Sequence, residues 1–529
     1  MIPSSTATRE RLDRFLGCTG ARSLAPVALV MLAVLAVHAR TVGFGWVDLD
    51  DRDLVVDDQP FLASPGSLWR VFGRSYLGVV DSGHAYYRPV VAASYVLDAH
   101  IGGADPHGYH LTNVVVYAAA AGLFFALLRA LQLGERVAIA GGLVFAVHPA
   151  LTSAVAWVPG RNDGLLAVLC LTAWLAFARD LGRPAARWRT LHLVCFALAL
   201  LTKETAFALP VVCIAHAVLA PGAPDRGSLL GRAPAYLVAW TAIAAARLAA
   251  RPLRIPHDAS SASTPVRLFV SALGHVAAPY DPTAIAVARD LPLVPGVLAA
   301  CAMAAATFAL PRVRKNVVAL GAAAFGVFLA PAAAVGGSLV LDSRLVLPAC
   351  GALIALAEIV RALPVETRSF AAGTSAVVAG LALITAGTEG AFKDARSFAL
   401  AAVAGSPRCA LAHVCLGRVY QGAGEDDRAL DEYAAALALA PAEVVHNNVA
   451  VIEMKRAQWA DAERDLGEEL RVNPGYARAY LNLAVVLRHE RRPVEACAAA
   501  TRALVLSAEP SDGELRVEEE RDCAEAPGR

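Results

Sequence analysis

The sequence predicts an all-α protein in two parts, a polytopic membrane helix bundle of about eleven spans followed by an α-solenoid. Three observations predict it. Hydrophobic residues make up 57% of the 529 positions and charged residues only 18%, too apolar for a soluble globular chain. Most of the apolar residues gather in runs approaching the roughly 20 residues a bilayer demands. After about residue 390 the pattern changes to alternating charge, much alanine and a helical period. The formal net charge of +1 favours no partner by itself.

The first run, Ser23 to Ala39, follows Arg9, Arg11, Arg14 and Arg22, and with no small-residue cleavage site after it, it reads as an uncleaved first span. Further runs are Leu111 to Leu131, Arg136 to Trp157, Gly164 to Ala178, Leu191 to Thr202, Thr205 to Ala220 and Ala233 to Ala250. Leu293 to Leu310, Asn316 to Val335, Leu345 to Val360 and Phe370 to Ala386 complete the set. Val266 to Tyr280 is apolar but short and is expected to be re-entrant or interfacial. Cys170, Cys195, Cys213, Cys301 and Cys350 fall inside apolar runs and no CxxC occurs, which argues against a disulfide framework and a structural zinc site.

Orientation follows from arginine and lysine, which favour cytoplasmic loops. With the segment 1–22 inside, the inner loops carry Arg129 and Arg136, then Arg179, Arg183, Arg187 and Arg189, then Arg226 and Arg232, then Arg312, Arg314 and Lys315. Odd parity places the long first loop, 41–110, and everything after the membrane domain 23–390 on the non-cytoplasmic face.

From Ala410, the stretch ALAHVCLGRVYQGAGEDDRALDEYAAALALAP puts Leu416, Gly417, Tyr420, Ala429, Tyr433, Ala436 and Pro441 where a tetratricopeptide repeat needs packing residues. A second unit ends at Pro474 and keeps Ala450, Ala462 and Leu466; a third has Tyr480, Leu483, Ala484, Ala496 and Ala503. These form a three-repeat domain, 397–510, and the charged remainder 511–529 is expected to fray.

Directly after the first span, GFGWVDLDDRDLVVDDQPFL carries Asp48, Asp50, Asp51, Asp53, Asp57 and Asp58. The loop continues to Tyr87-Arg88-Pro89, which opens an expected amphipathic helix, and to His110 and Asn113, one turn apart at the start of the second span. His148-Pro149, Trp157, Arg161, Asp163 and Lys203-Glu204 lie at hairpin ends that parity brings to the same face. Each has a plainer use: His148-Pro149 as a kink, Asn162 or Asp163 as a helix cap, Lys203-Glu204 as a membrane-edge ion pair, His110 and Asn113 as a helix-start network.

In this order the residues resemble the membrane-embedded O-mannosyltransferases with C-terminal tetratricopeptide repeats, of the GT-C glycosyltransferase superfamily. The resemblance runs through Asp50-Asp51, YRP at Tyr87 to Pro89, HLTN at His110 to Asn113, HP at His148-Pro149 and AVAWVPGRND at Ala154 to Asp163. It continues with KE at Lys203-Glu204, APYDPTAI at Ala278 to Ile285, SRLVLP at Ser343 to Pro348 and the repeats. It implies a polyprenyl-phosphate-linked sugar as donor, a hydroxyl acceptor on protein or another molecule, and inverting transfer on the lumenal or periplasmic face. In a bacterial-looking chain this means the bacterial inner membrane.

Under that resemblance Asp51 or Asp50 is the general base. Arg88, Arg161, Lys203 and Arg344 meet the leaving phosphate, with a divalent metal as an open alternative. His110, Asn113, His148, Asp163 and Glu204 bind sugar hydroxyls or organise the loop, and Asn447 and Asn482 line a repeat groove for a protein partner. Leu151, Ser153, Tyr117, Ser343 and Leu345 stand where the family has two histidines, two glutamates and a tyrosine, which leaves a different donor or acceptor, or lost activity, open. A membrane-anchored scaffold without catalysis is the alternative; a transporter would need ionisable groups near mid-membrane. Nothing suggests nucleic-acid binding.

Overall fold

The computed structural model describes residues 24–47, 49–76, 86–222, 226–250, 264–279, 285–287, 290–334, 339–340, 342–440, 444–506 and Cys523. The predicted segment 1–22, Asp48, Tyr280, most of the APYDPTAI motif and the tail 511–529 apart from Cys523 lie outside the described residues. The chain forms two compact units: Met1–Trp46 with Gln59–Tyr76 and Tyr86–Asp394, and Val47–Asp58 with Leu77–Ala85 and Ala395–Arg529.

In the first unit every predicted apolar run is helical over most of its described residues. Among the described residues seven helices are long and apolar enough to cross a membrane: Leu24–Gly43, Pro106–Ala130, Val158–Gly182, Leu230–Ala250, Lys315–Ala334, Ser343–Ala362 and Thr367–Phe392. Glu135–Ala146 and Pro149–Ala156 make an eighth, bent by 56°. The bend falls at Pro149, which lacks the N–H needed to continue the ladder. The remaining predicted spans are the helices Ala186–Leu200, Glu204–Leu219 and Val294–Ala309, all below 18 residues. Among the described residues, seven or eight helices therefore reach span length where the sequence suggests eleven. Val266 to Tyr280 gives a helix, Thr264–Ala277, of 14 residues, too short to cross; its Ala272 and Val276 join the core.

That core is built on Trp174, Phe124, Phe125, Phe145 and Phe328, all fully buried. Helices Lys315–Ala334 and Val346–Ala362 meet backbone to backbone, since a β-carbon on Gly351 would lie 2.2 Å from the Phe325 amide nitrogen and one on Gly321 would lie 2.6 Å from the Gly351 carbonyl. Small residues permit this approach between apolar helices. At the predicted inner ends, buried acids gather the basic loops: Glu358 accepts from Arg314 and Arg361, both at 2.6 Å, and Asp180 lies 3.6 Å from Arg189 while accepting from the Tyr236 hydroxyl at 2.7 Å. One departure from all-α is an antiparallel pairing of Ala286–Val287 with Leu339–Val340, Ala286 opposite Val340.

The first loop is helical within its described residues, at Gln59–Leu62, Ser67–Arg70 and Pro89–Gly102. Pro89 and Pro106 each open a helix, the position where a missing N–H costs nothing. Asp105 caps the second by accepting from the His107 amide at 3.1 Å.

In the second unit the repeats are the helix pairs Ala410–Gly422 with Asp426–Leu439, Val445–Lys455 with Trp459–Val472, and Ala477–His489 with Pro493–Leu506, preceded by Ala395–Gly405. A β-carbon on Gly417 would lie 2.5 Å from the Tyr433 ring, so the small residue there lets the first pair close. The turn inside each pair carries one left-handed residue: Gly424 at φ 76°, Ala457 at 57° and Arg491 at 61°. Cys497 and Cys523 form a disulfide, which corrects the expectation drawn from the absence of CxxC. A bridge needs only two β-carbons brought together by the fold, and residues 26 apart leave no local signature.

Candidate functional site

The aspartate-rich segment 47–58 belongs to the same compact unit as the repeats. Asp50 and Asp51 open a short helix that widens into a π turn at Arg52–Val56, closed by the Asp57 amide donating to the Arg52 carbonyl at 2.8 Å. Such turns are rare and favour functional sites. Asp51 is buried, and its Oδ2 accepts from the Val47 amide at 2.8 Å. Asp57 is exposed and holds Arg52 at 3.3 Å.

In the membrane unit a second set of polar groups is organised around Arg161, which has no exposed surface. Its Nε donates to Asn113 Oδ1 at 2.7 Å, Nη1 to Ser94 Oγ at 3.2 Å and Nη2 to the Tyr109 carbonyl at 2.7 Å. Nη1 also lies 2.6 Å from Asp98, and the guanidinium covers the rings of Tyr95 and Tyr109. Asn113 Nδ2 donates in turn to the Trp157 carbonyl at 2.9 Å. Arg161 thereby ties the helices Pro89–Gly102, Pro106–Ala130 and Arg161–Gly182 together.

Beside it are two crossed ion pairs. Arg88 Nη2 donates to Glu204 at 3.0 Å and Lys203 Nζ to Asp163 at 2.6 Å. The Lys203-Glu204 dipeptide is thus not the ion pair its adjacency suggests. Lys203 is extended, φ −161° and ψ 147°, at the entry to the short helix that Glu204 opens, and each of the two side chains takes a distant partner instead. Asp163 does not cap its helix either, since Gly160 holds the N-cap position without a side-chain bond. Arg88 stacks over Tyr76 and Tyr86, with 5.3 and 4.7 Å to the ring centroids. Its Nε is buried and meets no hydrogen-bond acceptor among the described residues.

Arg247 donates to the Leu200 and Tyr87 carbonyls, both at 3.2 Å, and feels the charges of Glu204 and Arg88. Arg344 acts on Lys203 electrostatically. Burial holds Lys203 below its ordinary pKa against the pull of Asp163. Arg88 is held above its own: burial opposes its charge, but Glu204 and the tyrosines Tyr76 and Tyr86 outweigh it.

His110 donates through Nε2 to the Gly45 carbonyl at 3.3 Å, and its Nδ1 is buried without a partner among the described residues. Both nitrogens of His148 are used in the break of the bent pair: Nδ1 accepts from the Ala150 amide at 3.3 Å and Nε2 donates to the Val276 carbonyl at 2.9 Å. Tyr117 stacks on Phe145 and donates to its carbonyl at 2.7 Å. In the repeats, Asn482 Nδ2 donates to Asn447 Oδ1 at 2.8 Å, and Asn447 is buried. The two asparagines therefore join consecutive repeats. Among the described residues no three His, Cys, Asp or Glu side chains converge to hold a metal ion.

The sequence reading does not reach Asp98, Arg247, Ser94 or Tyr76. Asp98 has a sequence signal, as an isolated carboxylate in the apolar stretch VVAASYVLDAHI. His38 and Glu389 were missed too: they pair at 2.6 Å, both buried, with Arg40 Nε on the same carboxylate at 2.6 Å. Ionisable groups at the ends of the first and last spans are the cue.

No family model matches the chain. Over 224 residues it is 35% identical to Protein O-mannosyl-transferase Tmtc1 of Drosophila melanogaster, covering 41% of this chain and 24% of that one. Over 189 residues it is 34% identical to Protein O-mannosyl-transferase Tmtc2 of the same fly, covering 34% and 20%. The chain spans about a quarter or less of the length of these relatives, 24% and 20%. The solved structure of ArnT from Cupriavidus metallidurans, bound to undecaprenyl phosphate, aligns over 86% of this chain and 81% of its own with a TM-score of 0.42 and 17% identity.

Proposed function

We propose that this chain, a multi-pass membrane relative of the protein O-mannosyl-transferases, is a glycosyltransferase that moves a sugar from a polyprenyl-phosphate carrier to a hydroxyl acceptor. The relatives' names suggest a mannosyl group. Transfer takes place on the non-cytoplasmic face, the periplasmic one in a bacterial inner membrane. The basic inner loops support that side, and so does the Cys497–Cys523 disulfide, because disulfides persist in oxidising compartments.

The observation that carries the reading is Arg88. One guanidinium nitrogen is committed to Glu204, while a second, buried, lacks an acceptor among the described residues. Lys203, Arg247 and Arg344 lie within electrostatic reach of one another or of Arg88. A buried N–H without an acceptor is costly, and a phosphate oxygen would satisfy it with a charge-assisted bond. Arg161, whose nitrogens are all bonded inside the protein, serves in this reading as the anchor of the site.

In the reaction the acceptor oxygen attacks the anomeric carbon from the face opposite the phosphate, inverting it. Asp51 takes the hydroxyl proton, with Asp50 as its neighbour and alternate. The bond from carbon to phosphate oxygen breaks, and its electron pair leaves on the lipid phosphate, where Arg88 and Lys203 balance the new charge. His110, whose Nδ1 is unpartnered among the described residues, is the proposed contact to a sugar hydroxyl. Asn113 and Asp163 hold Arg161 and Lys203.

The test uses purified full-length protein in lipid nanodiscs with synthetic polyprenyl-phosphate mannose and an acceptor extract. Sugar transfer by the native protein, abolished in Asp51→Asn and retained in part in Asp50→Asn, supports the reading. Asn has nearly the same volume but takes no proton at neutral pH. Full transfer by Asp51→Asn removes Asp51 as the base, and absence of transfer by the native protein leaves a membrane-anchored scaffold.

A further inference from the structure

Stacked repeats are the obvious place for a second protein to dock, yet part of their apolar surface is already covered by this chain. Leu49 packs against the cluster that includes Val414, Leu416, Tyr433, Val445 and Ile452, the core of the first repeat and its junction with the second. The residues around it are ordered by their own bonds. Val47, Asp51, Leu54 and Val55 are each less than 5% exposed, Asp51 closes back on the Val47 amide, and the π turn fixes Arg52 to Asp57. Further along the stack, Asp53 lies within electrostatic reach of Tyr476. Burial chiefly raises that phenol's pKa; Glu469 and Asp53 add to the rise, and Arg478 and Arg418 oppose it.

We propose that the repeats are a positioning element for the aspartate segment, with Leu49 as the anchor that seats Val47 and residues 49–58 on the first repeat. The partner of this repeat surface is then the chain's own first loop. The inference rests on the reading of Asp51 as the base and deepens it. A base works only within hydrogen-bond reach of the proton it takes, and a misplacement of about 1 Å can cost on the order of a hundredfold in rate. An aspartate on an irregular segment needs such a fixed support, and the repeat core supplies a rigid one. Leu49 and the repeat residues beneath it are positioning residues, since they act through Asp51.

The experiment compares native protein, Leu49→Ala and Leu49→Met, all full length in nanodiscs, by amide hydrogen exchange and by transfer kinetics with polyprenyl-phosphate mannose. Leu49→Ala alters only the seated loop, so unchanged exchange in the helices Ala410–Gly422 and Asp426–Leu439 reports an intact repeat. The expected result is exchange across residues 47–58 faster by about tenfold or more, with kcat down about tenfold and the donor KM unchanged. Leu49→Met, which keeps an apolar side chain of similar size, should restore both. Unchanged exchange in Leu49→Ala overturns the proposal, as does faster exchange with an unchanged kcat. If the native protein transfers no sugar, the enzyme reading fails, and the exchange measurement alone decides whether the repeats hold the segment.

Discussion

Lys203 Nζ sits 2.6 Å from the Asp163 carboxylate, and neither side chain is more than 12% exposed. A pair this deep is held by mutual compensation, and removing one partner leaves an uncompensated charge that costs about 3–5 kcal/mol. Asp163→Asn should therefore lower the thermal midpoint of the detergent-solubilised protein strongly. The double variant Asp163→Asn with Lys203→Met should recover much of the loss. A single variant as stable as the native protein would show that water reaches the lysine.

The same pair predicts a pH dependence. Burial holds folded Lys203 below its ordinary value of 10.5, so between the two values the unfolded chain binds more protons than the folded one. Stability then rises with pH across that window. Losing Asp163 removes the charge that opposes the depression and widens the window downward. Melting curves of Asp163→Asn should thus show stability climbing as pH is raised toward 10.5, more steeply than in the native protein.

How much of this was legible in the sequence depends on distance along the chain. The spans were readable because apolar runs are local, and the repeats because their packing residues recur in phase. Arg88, Arg161 and Lys203 could be singled out as charges at span ends, but their partners could not. Glu204 and Asp163 lie 116 and 40 residues from the cations they hold, and the one local pairing on offer, Lys203 with Glu204, gives way to these distant partners. The grouping of Leu49 with the repeats is more remote still. A partly buried leucine amid aspartates carries no sign of which apolar surface covers it.

Arg161 and Arg88 should separate as anchor and ligand. Arg161→Met removes a guanidinium with all three nitrogens engaged and leaves Asp98 buried, so it should lose about 3–5 kcal/mol and fold poorly. Arg88→Lys keeps the charge and the pair with Glu204 but loses the second donor direction. It should fold normally while transfer slows by about tenfold or more. Equal loss of folding in both variants would make Arg88 structural.

The repeat turns offer a stability prediction free of the enzyme reading. Ala457 adopts φ 57° where the first repeat has Gly424 at 76°. A left-handed alanine costs about 1–2 kcal/mol, of which glycine's added unfolded-state entropy returns about 0.4–1. Ala457→Gly should raise the unfolding free energy of the repeat transition by up to about 1 kcal/mol in chemical denaturation, and so should Arg491→Gly, at φ 61°. A drop in stability would mean these turns have another conformation in solution.

Sidedness can be tested without knowing any substrate. Asp57 is exposed on the aspartate segment and Asp427 is exposed on the first repeat, and both belong to one compact unit. Cysteines introduced at the two positions should react with a membrane-impermeant maleimide from the same, non-cytoplasmic side of intact cells, as the basic inner loops require. Arg312 and Arg183, replaced by cysteine in turn, should label only after the cytoplasmic side is opened. The disulfide gives an independent check, because Cys497 and Cys523 are bonded to each other and an oxidising compartment would keep them so. Protein trapped with acid and alkylated should leave these two thiols unmodified until a reductant is added. Labelling of Asp57→Cys and Asp427→Cys from the cytoplasm, with Cys497 freely alkylated, would reverse the orientation and remove the lipid-linked donor's expected face along with it.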